Sequence, residues 1–131
     1  MQARMFVLLI GLGAGTALAG EGKSGEQVYK AVCTACHATG VEKAPKFGDR
    51  KAWAPLIREG QHVLTAHAWV GVRGMPPRGG QPDLSLAEFA RATAYMARAA
   101  GGKWQDPDAK MLAGIRTEVR KREGRSGSGK P

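Results

Sequence analysis

The 131-residue chain has two cysteines, and they stand together in Cys33-Thr34-Ala35-Cys36-His37, with an imidazole directly behind the second thiol. Four chemistries use such a pair. A disulfide between them would close almost no loop and constrain the unfolded chain little, which makes it a poor staple. A structural zinc site needs four ligands in a closed tetrahedral shell, and besides His37 only His62 and His67 remain to complete it, with no second C-x-x-C in the chain. A thioredoxin-like redox pair follows a strand, and no strand-like run flanks this motif. The reading the sequence favours is the fourth, covalent attachment of a c-type haem. C-x-x-C-H is its signature, with thioethers from Cys33 and Cys36 and His37 as an axial iron ligand.

Electron-transferring haems of this kind usually take a methionine as second axial ligand, because His/Met ligation raises the reduction potential. Of five methionines, Met1 and Met5 belong to the leader described below, Met96 falls on the apolar face of a helical stretch, and Met111 lies near the C-terminal end. Met75 alone sits in a loop, Gly74-Met75-Pro76-Pro77-Arg78-Gly79-Gly80, where prolines and glycines exclude helix. It lies 38 residues beyond His37, enough chain to reach the other haem face. Met75 is therefore the candidate second ligand. His62 and His67, lone histidines in a helical segment, read as surface or core residues.

These groups need elements to hold them. The chain opens with Arg4, an apolar run over residues 5–14 and the small-x-small pattern Ala17-Leu18-Ala19, which together predict a cleaved secretory signal peptide over residues 1–19. The mature chain then starts in an oxidising, extracytoplasmic space, the periplasm of a Gram-negative bacterium. There nucleic acid is not an expected partner, although Lys and Arg outnumber Asp and Glu by 20 to 11. Residues 20–102 are read as one haem domain. Within it, helices are predicted over Ser24–Val32, with Ser24 and Gln27 as a capping box, and over Ala52–Glu59, His62–Val70 and Ser85–Ala100. Residues 103–131 form a basic extension. Its Met111, Leu112, Ile115 and Val119 recur at helical spacing, and residues 124–131 are expected to be disordered. That extension is read as contacting an anionic membrane surface or an acidic partner, or as a solvated appendage.

The order Gly25-Glu-Gln-Val-Tyr29, Cys33-Thr-Ala-Cys-His37-Ala-Thr-Gly40, Ala44-Pro45-Lys46-Phe-Gly48-Asp49, Ala52-Trp53-Ala54-Pro55, Gly74-Met75-Pro76-Pro77-Arg-Gly79-Gly80 and Asp83-Leu84-Ser85 resembles the small monohaem class I c-type cytochromes, and within them the cytochrome c-five group. The resemblance covers about residues 24–101. It implies an all-α class I cytochrome c fold, four or so short helices wrapped around one covalently bound haem c. It also implies that the Pro45 carbonyl accepts a hydrogen bond from the His37 ring, that Trp53 either bonds a haem propionate or packs on the macrocycle, and that Pro76 lies in the haem surroundings. The first and last helices would cross at Gly25, Tyr29 and Tyr95. Arg58, Arg73 and Arg78 are candidates to neutralise propionates, with solvated surface as the alternative. The second cysteine pair often found in that group is missing, and Gln81 follows Gly79-Gly80.

The function expected is that of a one-electron Fe(III)/Fe(II) carrier and not an enzyme, since both axial positions would be filled. The alternatives are a haem-bearing subunit of an oxidoreductase complex and a five-coordinate sensor or peroxidase-like protein. Positive charge at Lys43, Lys46, Lys51, Arg73 and Arg78 would steer the carrier toward acidic patches on redox partner proteins.

Overall fold

A computed structural model of the chain describes residues 22–127; the expected signal peptide and residues 128–131 lie outside the described residues. Six α-helices follow in order: α1 Gly25–Val28, α2 Thr34–His37, α3 Arg50–Arg58, α4 Gln61–Val70, α5 Leu86–Ala99 and α6 Ala109–Gly127. Between α1 and α2 the backbone does not break but widens into a π-helical turn, Tyr29–Cys33, in which the Thr34 N–H reaches back to the Tyr29 carbonyl. The extra residue in that turn rotates Cys33–His37 relative to the face set by α1. Among the described residues the strand pattern is limited to one isolated bridge, Val72 to Met75.

Local chemistry explains where the helices begin. Ser24 and Gln27 exchange hydrogen bonds at the start of α1, the Ser24 hydroxyl accepting from the Gln27 N–H (3.2 Å) and the Gln27 side chain from the Ser24 N–H (2.9 Å). Ser85 and Glu88 do the same for α5. Each box satisfies two N–H groups that a helix start otherwise leaves open. Helix α3 starts two residues before the expected Ala52 because the Asp49 carboxylate accepts the Ala52 N–H at 3.0 Å.

Helices α1 and α5 cross at close range. A methyl group on Gly25 would run into the Arg91 carbonyl and lie 3.0 Å from the Tyr95 Cβ, so only glycine lets the backbones approach this far. Beside the crossing, Tyr29 stacks on Phe47 with ring centroids 4.4 Å apart, and Tyr95 tilts against both. The inward face of α5 is broad: Ala92 and Ala94 are buried along with Phe89, Ala90, Thr93, Met96 and Ala97. The cause is that α5 is covered on more than one side, by α1 and by the pair α4 and α6.

The C-terminal extension corrects the reading of a solvated appendage. Ile115 is fully buried and Val119 nearly so, in a cluster with Ala66 of α4 and Ala90 of α5 that Met111, Leu112, Val70 and Leu86 flank. The linker is fixed too: Trp104 packs on the Tyr29, Trp53, Leu64 and Met96 cluster, Arg98 pairs with Asp106 at 3.0 Å, and Gln61 donates to the Gln105 carbonyl. Residues 124–127, expected to be disordered, continue α6. Once a helix is nucleated and docked, each further residue adds a bond at little cost. No helix among the described residues is long and apolar enough to cross a membrane.

Candidate metal centre

Cys33, Cys36 and His37 lie on one continuous helical run, the two cysteines as free thiols, each half-buried, and His37 buried. Immediately after it the chain turns back so that the Pro45 carbonyl sits 2.8 Å from His37 Nδ1. A carbonyl only accepts, so Nδ1 carries the hydrogen, and in the neutral ring Nε2 is left with its lone pair. The loop is braced twice more. The Phe47 N–H donates to the His37 carbonyl at 2.8 Å. The Trp53 indole N–H donates to the Lys46 carbonyl at 2.9 Å.

That last bond bears on the expected role of Trp53. Its one donor is spent inside the protein, and the ring lies buried 6.2 Å from the His37 ring, centroid to centroid. Trp53 thus acts as a brace of the loop that orients His37, and a propionate bond from the same N–H is not what this geometry provides.

Met75 occupies the turn after α4. Val72 and Met75 exchange both backbone hydrogen bonds, at 3.0 and 2.9 Å, which closes the turn. Its side chain packs on the Val28, Leu84, Phe89 and Ala92 cluster, the same cluster that Cys33 and Val32 touch. The loop carrying Met75 also spans the thiol-bearing segment. At one end a methyl group on Gly74 would meet the Glu42 side chain at 2.9 Å, and at the other a methyl on Gly79 would lie 3.5 Å from a Val32 methyl. Pro76, the next residue, is exposed and extended.

Of the three arginines considered for propionates, Arg58 and Arg73 are exposed, while Arg78 is turned onto the Trp69 ring. Arg73 joins Lys43, Lys46, Pro45, Pro55 and Leu56 around an open cleft of about 530 Å³. His67 donates from Nδ1 to the Glu59 carboxylate at 3.0 Å, and His62 is exposed on α4. Neither is brought to Cys33 or Met75 by any contact described here.

The donor set can be compared with the four chemistries open to the motif. Among the described residues no three His, Cys, Asp or Glu side chains gather as a four-ligand zinc site requires. Burial, with Cys36 nearby, pushes the Cys33 thiol up to about 11, so it stays protonated at neutral pH, unlike the activated thiolate of a redox pair. Two free thiols, an imidazole with a free Nε2 and an orienting carbonyl, and a thioether on a loop across the same segment fit a covalently held haem.

Comparison with known proteins agrees. The family model described as cytochrome C oxidase, cbb3-type, subunit III matches residues 20–96. The chain is similar to cytochrome c-555 of Chlorobaculum thiosulfatiphilum, 44% identical over 77 residues that cover 56% of this chain and 90% of the relative. It is also similar to cytochrome c5 of Azotobacter vinelandii, 38% identical over 79 residues, 59% of this chain and 95% of the relative. A solved structure titled as an electron transfer complex of nitrite reductase with cytochrome c matches at a TM-score of 0.56 and 46% identity, over 58% of this chain and 93% of the matched one. The family match ends before α6, and the Chlorobaculum relative has too few residues outside its matched part for a helix of nineteen. The chain belongs to the small monohaem class I c-type cytochromes, haem-based electron-transfer proteins whose cofactor is a covalently attached haem c.

Proposed function

We propose that this cytochrome is a periplasmic one-electron carrier in which Cys33 and Cys36 hold the haem by thioethers and His37 and Met75 are the axial iron ligands. The observation that carries the reading is the pairing of His37 Nδ1 with the Pro45 carbonyl, which points the role of ligand to Nε2. When bound, the haem supplies the Fe(III)/Fe(II) couple. The protein's own residues do the rest. The Pro45 carbonyl fixes the His37 ring and raises its basicity, the Trp53 brace holds that carbonyl in place, and the Met75 turn presents a thioether from a separate loop. With both axial positions taken, no coordination site is left for a substrate, so the chain is a carrier and not by itself an enzyme.

Its partners are redox proteins. Lys43, Lys46 and Arg73 around the cleft beside Pro45, against Asp49 and Glu59 in the same lining, leave it positive on balance and favour an acidic patch on the partner. The nitrite reductase complex of the structural neighbour supports a partner of the reductase kind. A second reading, a haem-bearing subunit of an oxidoreductase complex, draws on the oxidase-subunit description of the family model. The exposed cations of α6, Lys110, Arg116, Arg120 and Lys121, are then the surface nearest to hand for anionic lipid or a partner, since the apolar face of that helix is already covered.

Carbon monoxide distinguishes the carrier from a five-coordinate haem protein. The carrier reading expects the reduced, haem-loaded protein to bind carbon monoxide slowly and weakly, limited by loss of Met75. Rapid, saturating binding would establish an open site and put the sensor or peroxidase-like reading first.

A further inference from the structure

Arg78 takes no part in the reading above, yet its surroundings are unusual for a loop cation. It follows two prolines in the Met75 loop, and its backbone is left-handed at φ 56, a conformation that an L side chain adopts at a cost and that the neighbouring Gly79 and Gly80 adopt freely. Its guanidinium carbon lies 4.6 Å from the centroid of the Trp69 ring on α4. Its Nη1 donates to the Pro82 carbonyl at 3.0 Å, on the segment leading into α5. One side chain thus ties the Met75 loop both to the helix before it and to the strandless segment after it.

The ring that receives it is itself immobilised. Trp69 meets Phe89 of α5 edge to face, with centroids 5.4 Å apart. It also packs against two clusters, the one that includes Met75 and Cys33 as flanking residues and the one built on Ile115 and Val119 of α6. Trp69 is therefore a fixed platform backed by three helices. Met75, by contrast, is held by one closed turn and by apolar contacts that allow sliding.

We propose that Arg78 is a positioning residue for the axial methionine: stacked on Trp69 and bonded to the Pro82 carbonyl, it latches the Met75 loop shut and keeps the thioether on the iron. This rests on Met75 being the ligand. A cation over an indole and a charge-assisted bond to a carbonyl both hold in water, because the guanidinium is weakly hydrated and presents several donors at fixed angles. Lysine at the same place would retain the charge over the ring but lose the fork.

The test is the displacement of Met75 from the ferric, haem-loaded protein by imidazole, followed through the weak far-red band of sulfur-ligated haem. At saturating imidazole the rate reads the opening of the loop. Arg78→Ala and Arg78→Gln are expected to open about tenfold faster than the parent, the size expected when a cation–π contact and a charge-assisted hydrogen bond are lost together, and Arg78→Lys falls between. Rates within twofold of the parent in both variants would overturn the latch while leaving Met75 as ligand. A faster rate matched by an equal loss of global stability in urea would overturn it too, because the whole fold would then have loosened. Absence of the band from the parent protein would overturn the ligand assignment and the latch with it.

Discussion

Trp53 and Pro45 illustrate what single residues contribute here, since both act through backbone carbonyls that any residue could offer. The motif residues Cys33, Cys36 and His37 are legible by type and spacing, and Met75 by its loop of prolines and glycines. The acceptor on Lys46 is not legible, because no side chain announces it. The resemblance points Trp53 toward a propionate or toward packing on the macrocycle; its N–H is committed to the Lys46 carbonyl, which bears on the first of these and leaves the second open. Trp53→Phe keeps most of the buried ring and removes that donor, leaving the Lys46 carbonyl to find another partner. It is expected to lower stability by about 1 kcal/mol, read from the urea midpoint of the haem-loaded protein. An unchanged midpoint would show the brace to be redundant. The pairing of Arg78 with Trp69 is not legible for a related reason: Arg78 reads as a propionate partner or a solvated surface charge, and a tryptophan at helical spacing as core, until the fold brings them together.

At the scale of elements, the helices were legible where a side chain caps them. Ser24 with Gln27 and Ser85 with Glu88 are readable boxes, and α1 and α5 begin at the expected places. Asp49 was not readable as a cap, because Arg50 and Lys51 follow it and place positive charge where a helix start disfavours it. The π-helical turn at Tyr29–Cys33 has no sequence signal of its own, although it sets the rotation of the whole thiol-bearing segment. The crossing of α1 on α5 gives a sharp prediction. Gly25→Ala puts a methyl group into the Arg91 carbonyl, and forcing the helices apart is expected to cost about 1–3 kcal/mol, with the Tyr29–Tyr95 contact loosened as well. Thermal melting of the haem-loaded variant measures it, and a melting point equal to that of the parent would mean that the crossing adjusts freely.

For the molecule as a whole, α6 is the part that departs from the small relatives, and its packing makes it structural. Charge composition and the end of the resemblance near residue 101 mark it as an extension, and helical spacing marks its apolar residues; only the fold reveals that Ile115 and Val119 complete a core with α4 and α5. Ile115→Ala is expected to destabilise by about 2–5 kcal/mol, the range for emptying a fully buried aliphatic site. Removal of residues 103–131 should likewise lower the melting point of the haem-loaded protein, since it strips Trp104 from one cluster and α6 from another. A melting point unchanged by either would show α6 to be a loosely attached appendage. Acid acts on the same helix. Hydrogen bonds from Lys121 and Arg122 hold the Glu118 carboxyl down from 4.5 to about 2. Because the folded value is depressed, the stabilisation is present above about pH 4.5 and is lost as the pH falls toward 2. Glu118→Gln should flatten that part of the acid limb of the stability curve, and an unaltered limb would show that the ion pairs do not persist in solution.

The central claim is that one chain supplies both iron ligands, one on each side of the haem, and an optical spectrum of the ferric, haem-loaded protein tests it most directly. The expected result is a weak far-red sulfur band that disappears in Met75→Ala while the haem stays covalently attached through Cys33 and Cys36. Covalently held haem without that band in the parent protein would contradict the claim, because the iron would then have an open position or a different sixth ligand.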